Sequence, residues 1–146
     1  MYKQILVCSD GSANALHAAE AAAAIAEKFD SKIAVLSVFF PTPLLASFGE
    51  APEAAACMDT VMSIGEGQHD AIQSATGKVF QDHGIPVTQM REFGHPVDTI
   101  VSAAEVIEAD LIVIGSRGMS GFKSLLLGSV SDGVLHHAHC PILVVR

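Results

Sequence analysis

The chain has 146 residues, half of them apolar, and eight Lys and Arg against sixteen Asp and Glu give a formal net charge of −8. That length builds one ordinary domain, 1–146, with a core of its own. The acidic balance, the absence of Trp and the lone tyrosine, Tyr2, argue against nucleic acid and against an anionic membrane surface as partners.

The N-terminal Met1-Tyr2-Lys3-Gln4 runs straight into a strand rather than into a cleavable apolar stretch. No apolar run approaches the roughly 20 residues of a spanning helix. Both readings predict a cytoplasmic protein. Lys3 to Ser9 reads as a strand that stops at Asp10-Gly11-Ser12, with Ser12 as a helix N-cap. Ala13 to Phe29 is an alanine-rich helix with Ala18, Ala22, Ile25 and Phe29 on one face. Ile33 to Phe40 is nearly continuous apolar, as a strand buried on both faces should be.

Three prolines and Gly49 between Pro41 and Pro52 predict irregular structure there. Glu53 to His83 then reads as helix, with Gly65 and Gly67 weakening its middle. The stretch from Pro41 to about Gly67 is a candidate mobile flap, or a surface loop followed by a frayed helix. Val87 to Phe93 is a more polar strand, expected near an edge. Gly94-His95-Pro96 opens a helix through Glu108 with Val97, Ile100, Val101 and Ala104 inward. Leu111 to Ile114 is the most apolar strand and is expected to be central. A helix from about Ser129 to His139 leads into the last strand, Pro141 to Val145. Strands alternating with helices imply an α/β fold: an open five-stranded parallel sheet with right-handed crossovers and helices on both faces. Cys8, Cys57 and Cys140 are widely spaced and odd in number, which favours reduced thiols over a disulfide framework, with Cys57 the candidate for redox sensing.

In an open parallel sheet ligands bind beyond the carboxyl ends of the strands, where the winding reverses. Two such ends carry unusual residues: Ser9-Asp10-Gly11-Ser12, and Gly115-Ser116-Arg117-Gly118-Met119-Ser120-Gly121. Glycines let a backbone turn its amides toward an anion, and Gly128-Ser129 opens a helix whose free amides favour one too. Ser129 and Ser131 add hydroxyl donors. Arg117 and Lys123 fall between Gly115 and Ser131, where there is no acidic residue. A phosphate site needs this local excess of positive charge. The loop does not have the spacing of a P-loop NTPase, and no dinucleotide fingerprint follows the first strand.

The run Gly115-x2-Gly118-x9-Gly128-Ser129 resembles the signature of the ATP-binding universal stress proteins. The likeness extends through Leu125 to Ser131, to the ending Cys140-Pro141-Ile142-Leu143-Val144-Val145, and to the start Ile5 to Ser12. It departs at Cys8, where many members carry proline. The resemblance implies strand order 3-2-1-4-5 and an adenine nucleotide at the switch between the first and fourth strands. It puts Asp10 beside the nucleoside, the Val38 backbone against adenine, Gly115 and Gly118 around ribose and phosphates, and Gly128, Ser129, Val130 and Ser131 on the phosphates. Cys8, Ser9, Ser116 and Arg117 complete the candidate set, Arg117 on charge alone. The ligand expected is ATP with Mg²⁺ held through its phosphates, and neither a catalytic residue nor a protein-held metal is expected.

The family also implies homodimers through the last strand. An apolar edge at 141–145 needs covering for physical reasons as well. The function expected is a nucleotide-dependent regulatory switch with at most slow hydrolysis, acting on a regulated protein that the sequence does not name. AMP or cyclic AMP as ligand is an alternative. An adenylating ATP pyrophosphatase is another, echoed only in part by Ser9-Asp10-Gly11-Ser12. His136, His139 and Cys140 have helical metal-ligand spacing, but Pro141 should end that helix, so solvated helix-end histidines are the better reading.

Overall fold

The computed structural model describes residues 1–41, 51–118 and 127–146, with residues 51–56 as backbone only. Among them the elements run β1 (Gln4–Cys8), α1 (Ala13–Phe29), β2 (Lys32–Phe39), α2 (Ala51–Asp82), β3 (Val87–Phe93), α3 (Pro96–Val106), β4 (Leu111–Gly115), α4 (Ser129–His137) and β5 (Ile142–Val145). The strands form one parallel sheet in the order β3-β2-β1-β4-β5, as the resemblance implies. β1 is central. β4 lies between β1 and β5 with every residue buried, and the polar β3 takes one edge.

Two cores flank the sheet. One joins Ile5, Val7, Ile33, Val35 and Val113 to the alanine face of α1 and to Phe80 of α2. The small side chains at Ala15, Ala18, Ala19, Ala22, Ala23 and Ala26 let α1 lie close on the strands. Ser12 caps α1, its hydroxyl accepting from the Ala15 amide at 3.2 Å, a contact worth about 1 kcal/mol. The other core joins Leu6, Leu36, Ile112 and Ile114 to Ile100, Ala103 and Ala104 of α3 and Val134 of α4.

Several boundaries differ from expectation. α2 begins at Ala51, because Pro52 falls in a first helical turn, where its missing N–H costs nothing. The flap reading therefore fails for residues 51–67, which are helix, while residues 42–50 lie outside the described residues. Gly65 does not weaken the helix but seats it. A Cβ there would come within 2.7 Å of the Phe39 and Phe93 rings, so only glycine permits this approach. α3 stops at Val106, and Ala103 is buried where Val101 was expected to be. α4 stops at His137 because Ala138 turns to extended backbone ahead of Pro141.

The sheet-facing stripe of α2 is polar in its middle, which the helical periodicity did not disclose. His69, Gln73 and Thr76 are almost fully buried. Gln73 Nε2 donates to the carbonyls of Val35 and Met90 at 3.0 Å and to Ser37 Oγ at 3.1 Å. Ser37 Oγ and His69 Nδ1 share a hydrogen bond of 2.6 Å, and Ser9 Oγ and Thr76 Oγ1 one of 2.7 Å. Burial is the main force holding His69 below the ordinary histidine pKa, opposed by Glu66. These hydrogen bonds tie α2 to β2 and β3 and set its register, while His69 Nε2 and Gln73 Oε1 are buried without a hydrogen-bond partner among the described residues.

His83, at the far end of α2, bridges Glu27 at 2.7 Å and Glu20 at 3.0 Å on α1. Hydrogen bonds to Glu27 and then Glu20 raise its pKa above 6.5. A raised folded pKa contributes stability that is fully present below 6.5 and lost as pH rises through the folded value. His69 acts in the opposite direction, so the comparison must be between proteins that differ at His83 alone. Thermal melts of the wild type and His83→Gln should show the variant melting lower at acidic pH, with the gap closing as pH rises through the raised folded pKa of His83.

Candidate functional site

The crossover from β1 passes to the α1 face, and the one from β4 to the α4 face. Their diverging carboxyl ends leave a crevice at this switch point. A cavity of about 330 Å³ opens there, within the range of small-molecule sites. Its inner wall is apolar: Leu36, Val38 and Ile114 from the sheet, Pro96 and Ile100 from α3, and Val130 from α4. Its rim is polar, formed by Ser9, Asp10, Arg117, Gly118, Gly128 and Ser129.

Of the candidates named from sequence, Cys8, Ser9, Asp10, Val38, Gly115, Arg117, Gly118, Gly128, Ser129, Val130 and Ser131 all line this cavity, and Ser116 does not. Ser116 is buried and works as a latch. Its carbonyl accepts from the Gly128 amide at 2.6 Å and from Ser131 Oγ at 2.9 Å, and its own amide donates to Val145. Asn14 Nδ2 donates to its hydroxyl at 3.4 Å. Ser116 therefore lies outside the lining and anchors the loop. The hydroxyl hydrogen of Ser131 is used inside the loop as well, shared between the carbonyls of Ser116 and Gly128.

Two glycines lie close against neighbours. A Cβ on Gly115 would lie 2.9 Å from the Asn14 backbone, so the start of α1 demands that glycine, not an anion. A Cβ on Gly118 would lie 2.6 Å from Asp10 Oδ2, so the carboxylate fills the space that a side chain would need. Asp10 Oδ1 accepts from the Ser12 amide at 2.9 Å, and the Gly11 amide donates to Ser9 Oγ at 3.2 Å, which ties this turn down.

Electrostatics divide the cavity. Gly128 supplies no capping side chain, so the first-turn amides of α4 meet the rim uncapped, at the positive end of the helix dipole. Arg117 adds a cation, while exposed Asp132 in the same first turn of α4 opposes it. Lys123 lies outside the described residues. At the apolar end, burial and then Cys140 push the Cys8 thiol up to about 12, so it stays protonated and serves as neutral wall. Cys57 and Cys140 are half-buried, and burial also raises Cys140.

The helix-end histidines have local partners. His136 and His137 donate from Nδ1 to the carbonyls of Asp132 and Gly133, and His139 lies 3.2 Å from Glu105. Among the described residues no three His, Cys, Asp or Glu side chains converge on a metal site. Sequence reasoning missed Ala15, Leu36, Pro96, Ile100 and Ile114 as lining. Alternation along β2 from Val38 would have found Leu36, and one helical turn from Pro96 leads to Ile100.

The fold is an open α/β sheet with an apolar slot and an amide-rich rim at its switch point. The model of the universal stress protein family matches residues 1–146, and the chain belongs to that family. It is 37% identical over its whole length to universal stress protein MJ0531 of Methanocaldococcus jannaschii, covering 83% of that protein. Universal stress protein UspA from Lactobacillus plantarum superposes with a TM-score of 0.83 at 25% identity, covering 99% of this chain and 98% of that one. A universal stress protein solved in complex with cAMP superposes with a TM-score of 0.69 at 25% identity, covering 99% of this chain.

The Ser116 latch can be tested apart from any ligand. Ser131→Ala removes one buried hydrogen bond and should cost about 1 kcal/mol in denaturant unfolding, whereas Ser129→Ala, at an exposed position, should stay within about 0.5 kcal/mol of wild type.

Proposed function

We propose that this chain binds ATP in the switch-point cavity and acts as a nucleotide-dependent regulatory switch. The observation that carries this reading is the division of one cavity into an apolar slot and a rim of uncapped helix amides with Arg117. The slot fits a flat, weakly polar base, and the rim fits an anion. In this reading the base lies between Val38 and Ile100, the ribose passes Asp10 and Gly118, and the phosphates meet Ser129, Val130 and Arg117. Mg²⁺ is carried by the phosphate oxygens, which suits a rim whose described cation is Arg117 alone.

Turnover is slow in this reading. Phosphoryl transfer to water needs a group that positions the nucleophile. Among the described residues the one carboxylate lining the cavity is Asp10, with Oδ1 engaged by the Ser12 amide. Homodimers form through β5, which pairs with β4 on one side and leaves residues 142–145 half-exposed along its other edge. The relative that binds cAMP gives a second reading, a cyclic or monophosphate ligand in the same slot.

Mass spectrometry of ligand released from the purified protein should identify an adenine nucleotide and separate the two readings. In calorimetry, Mg-ATP should bind in the micromolar range. Gly118→Ala, which crowds Asp10, and Gly128→Val, which crowds the latch, should each weaken binding by about tenfold or more. Undiminished binding by both variants would overturn the placement of the phosphates.

A further inference from the structure

The turn that carries Asp10 is held by a helix on the other face of the sheet. Ser9, the residue after β1, is buried and lines the cavity. Its amide donates to the carbonyl of Leu36, a residue of the cavity wall, at 2.9 Å. Its hydroxyl meets Thr76 Oγ1 of α2 at 2.7 Å and accepts from the Gly11 amide at 3.2 Å. Gly11 has a φ of +79°, the left-handed region that favours glycine. A Cβ placed there would lie 3.5 Å from Ile72 Cγ1, in ordinary contact, so Ile72 packs against the same turn. Ile72 and Thr76 are one helical turn apart on α2 and share a face.

Thr76 is a fixed point. It is fully buried, and Gln73, one turn before it, binds the carbonyls of Val35 and Met90 and the hydroxyl of Ser37. Among the described residues none from α2 lines the cavity, so the hydrogen-bonded path from helix to cavity runs through Ser9. Stability alone does not ask for this pair, because two apolar side chains of the same shape serve about as well in a buried position. What the hydroxyls add is direction: they fix the Ser9 oxygen where the Gly11 amide meets it.

We infer that Thr76 is a positioning residue for the ligand, setting the Asp10 turn through Ser9 and so coupling occupancy of the cavity to the seating of α2. The inference rests on the nucleotide reading above and concerns how that site is held in place. Asp10 Oδ1 accepts from the Ser12 amide, which fixes the carboxylate to the turn, and Ser9 with Gly11 fixes the turn to the helix. Without the Thr76 hydroxyl the Ser9 side chain loses its partner on α2, and the turn gains freedom that a ligand must remove on binding. The coupling is reciprocal: a ligand that holds the turn also holds Thr76, and with it the helix.

Calorimetry on the full chain with Mg-ATP tests this, each variant first checked for a native circular dichroism spectrum. Thr76→Val keeps the shape and removes the hydroxyl, and should weaken binding by about threefold or more, as the loss of one hydrogen bond supplies. Thr76→Ser restores the hydroxyl and should bind within about twofold of wild type. In a Ser9→Ala background Thr76→Val should weaken binding no further, because the path is already cut. A merely structural role for Thr76 predicts neither the rescue by serine nor this lack of additivity. Should Thr76→Val fail to fold, hydrogen exchange on the wild type decides: Mg-ATP should slow the amides of residues 72–76, and unchanged exchange there sinks the inference. Wild-type affinity in folded Thr76→Val, or an additive loss in the double variant, would overturn the inference while leaving nucleotide binding intact. A wild type that binds no Mg-ATP would overturn both.

Discussion

The carbonyl of Ser116 is the point on which the site depends. It receives the Gly128 amide at 2.6 Å and the Ser131 hydroxyl at 2.9 Å, and so joins the end of β4 to the start of α4. Without that closure the chain between 116 and 128 would be an ordinary connection. With it, the start of α4 lines the same cavity as Asp10 and the carboxyl ends of β1 and β4. The amide of Ser116 is held by Val145, so the last strand supports the same point from below. Both donors and the acceptor are main-chain or buried hydroxyl groups, which makes the geometry insensitive to surface change.

Around this anchor the cavity separates two kinds of chemistry by the pleat and the crest of the sheet. Side chains of one strand parity, Leu36, Val38 and Ile114, form the slot because both faces of a parallel sheet are covered by helices. Polar groups collect where the strands end, because only there does the backbone leave the ladder and present its amides. The neutral Cys8 thiol lines the cavity and adds no charge to its apolar part.

The far face of the sheet is built differently, and its construction reaches the site. α2 is seated by Ser37, His69 and Gln73, and its Thr76 holds Ser9, whose hydroxyl accepts from Gly11 in the turn that carries Asp10. Gly65 allows the helix close enough for those bonds to form. One face of the sheet thus packs by shape and the other partly by hydrogen-bond pairing, and the turn at Asp10 feels both.

The alternation of apolar strands with amphipathic segments was sufficient to specify the α/β class, because periods of two and of 3.6 residues leave distinct traces. The spaced glycines marked the loop at Gly115 to Ser131, and the acidic turn at Asp10 marked its partner. The sequence could not show why those residues are there. Gly115 is needed by the backbone of Asn14, Gly118 lies against the carboxylate of Asp10, and Ser116 binds Gly128 and Ser131, and each of these contacts comes from a residue distant along the chain. The same holds for the polar stripe of α2, which reads as an ordinary helix until Ser37 and Ser9 are brought beneath it. Local pattern determined which elements form. Only packing between elements decided which polar groups are consumed in holding the loop and which remain at the rim to meet a ligand.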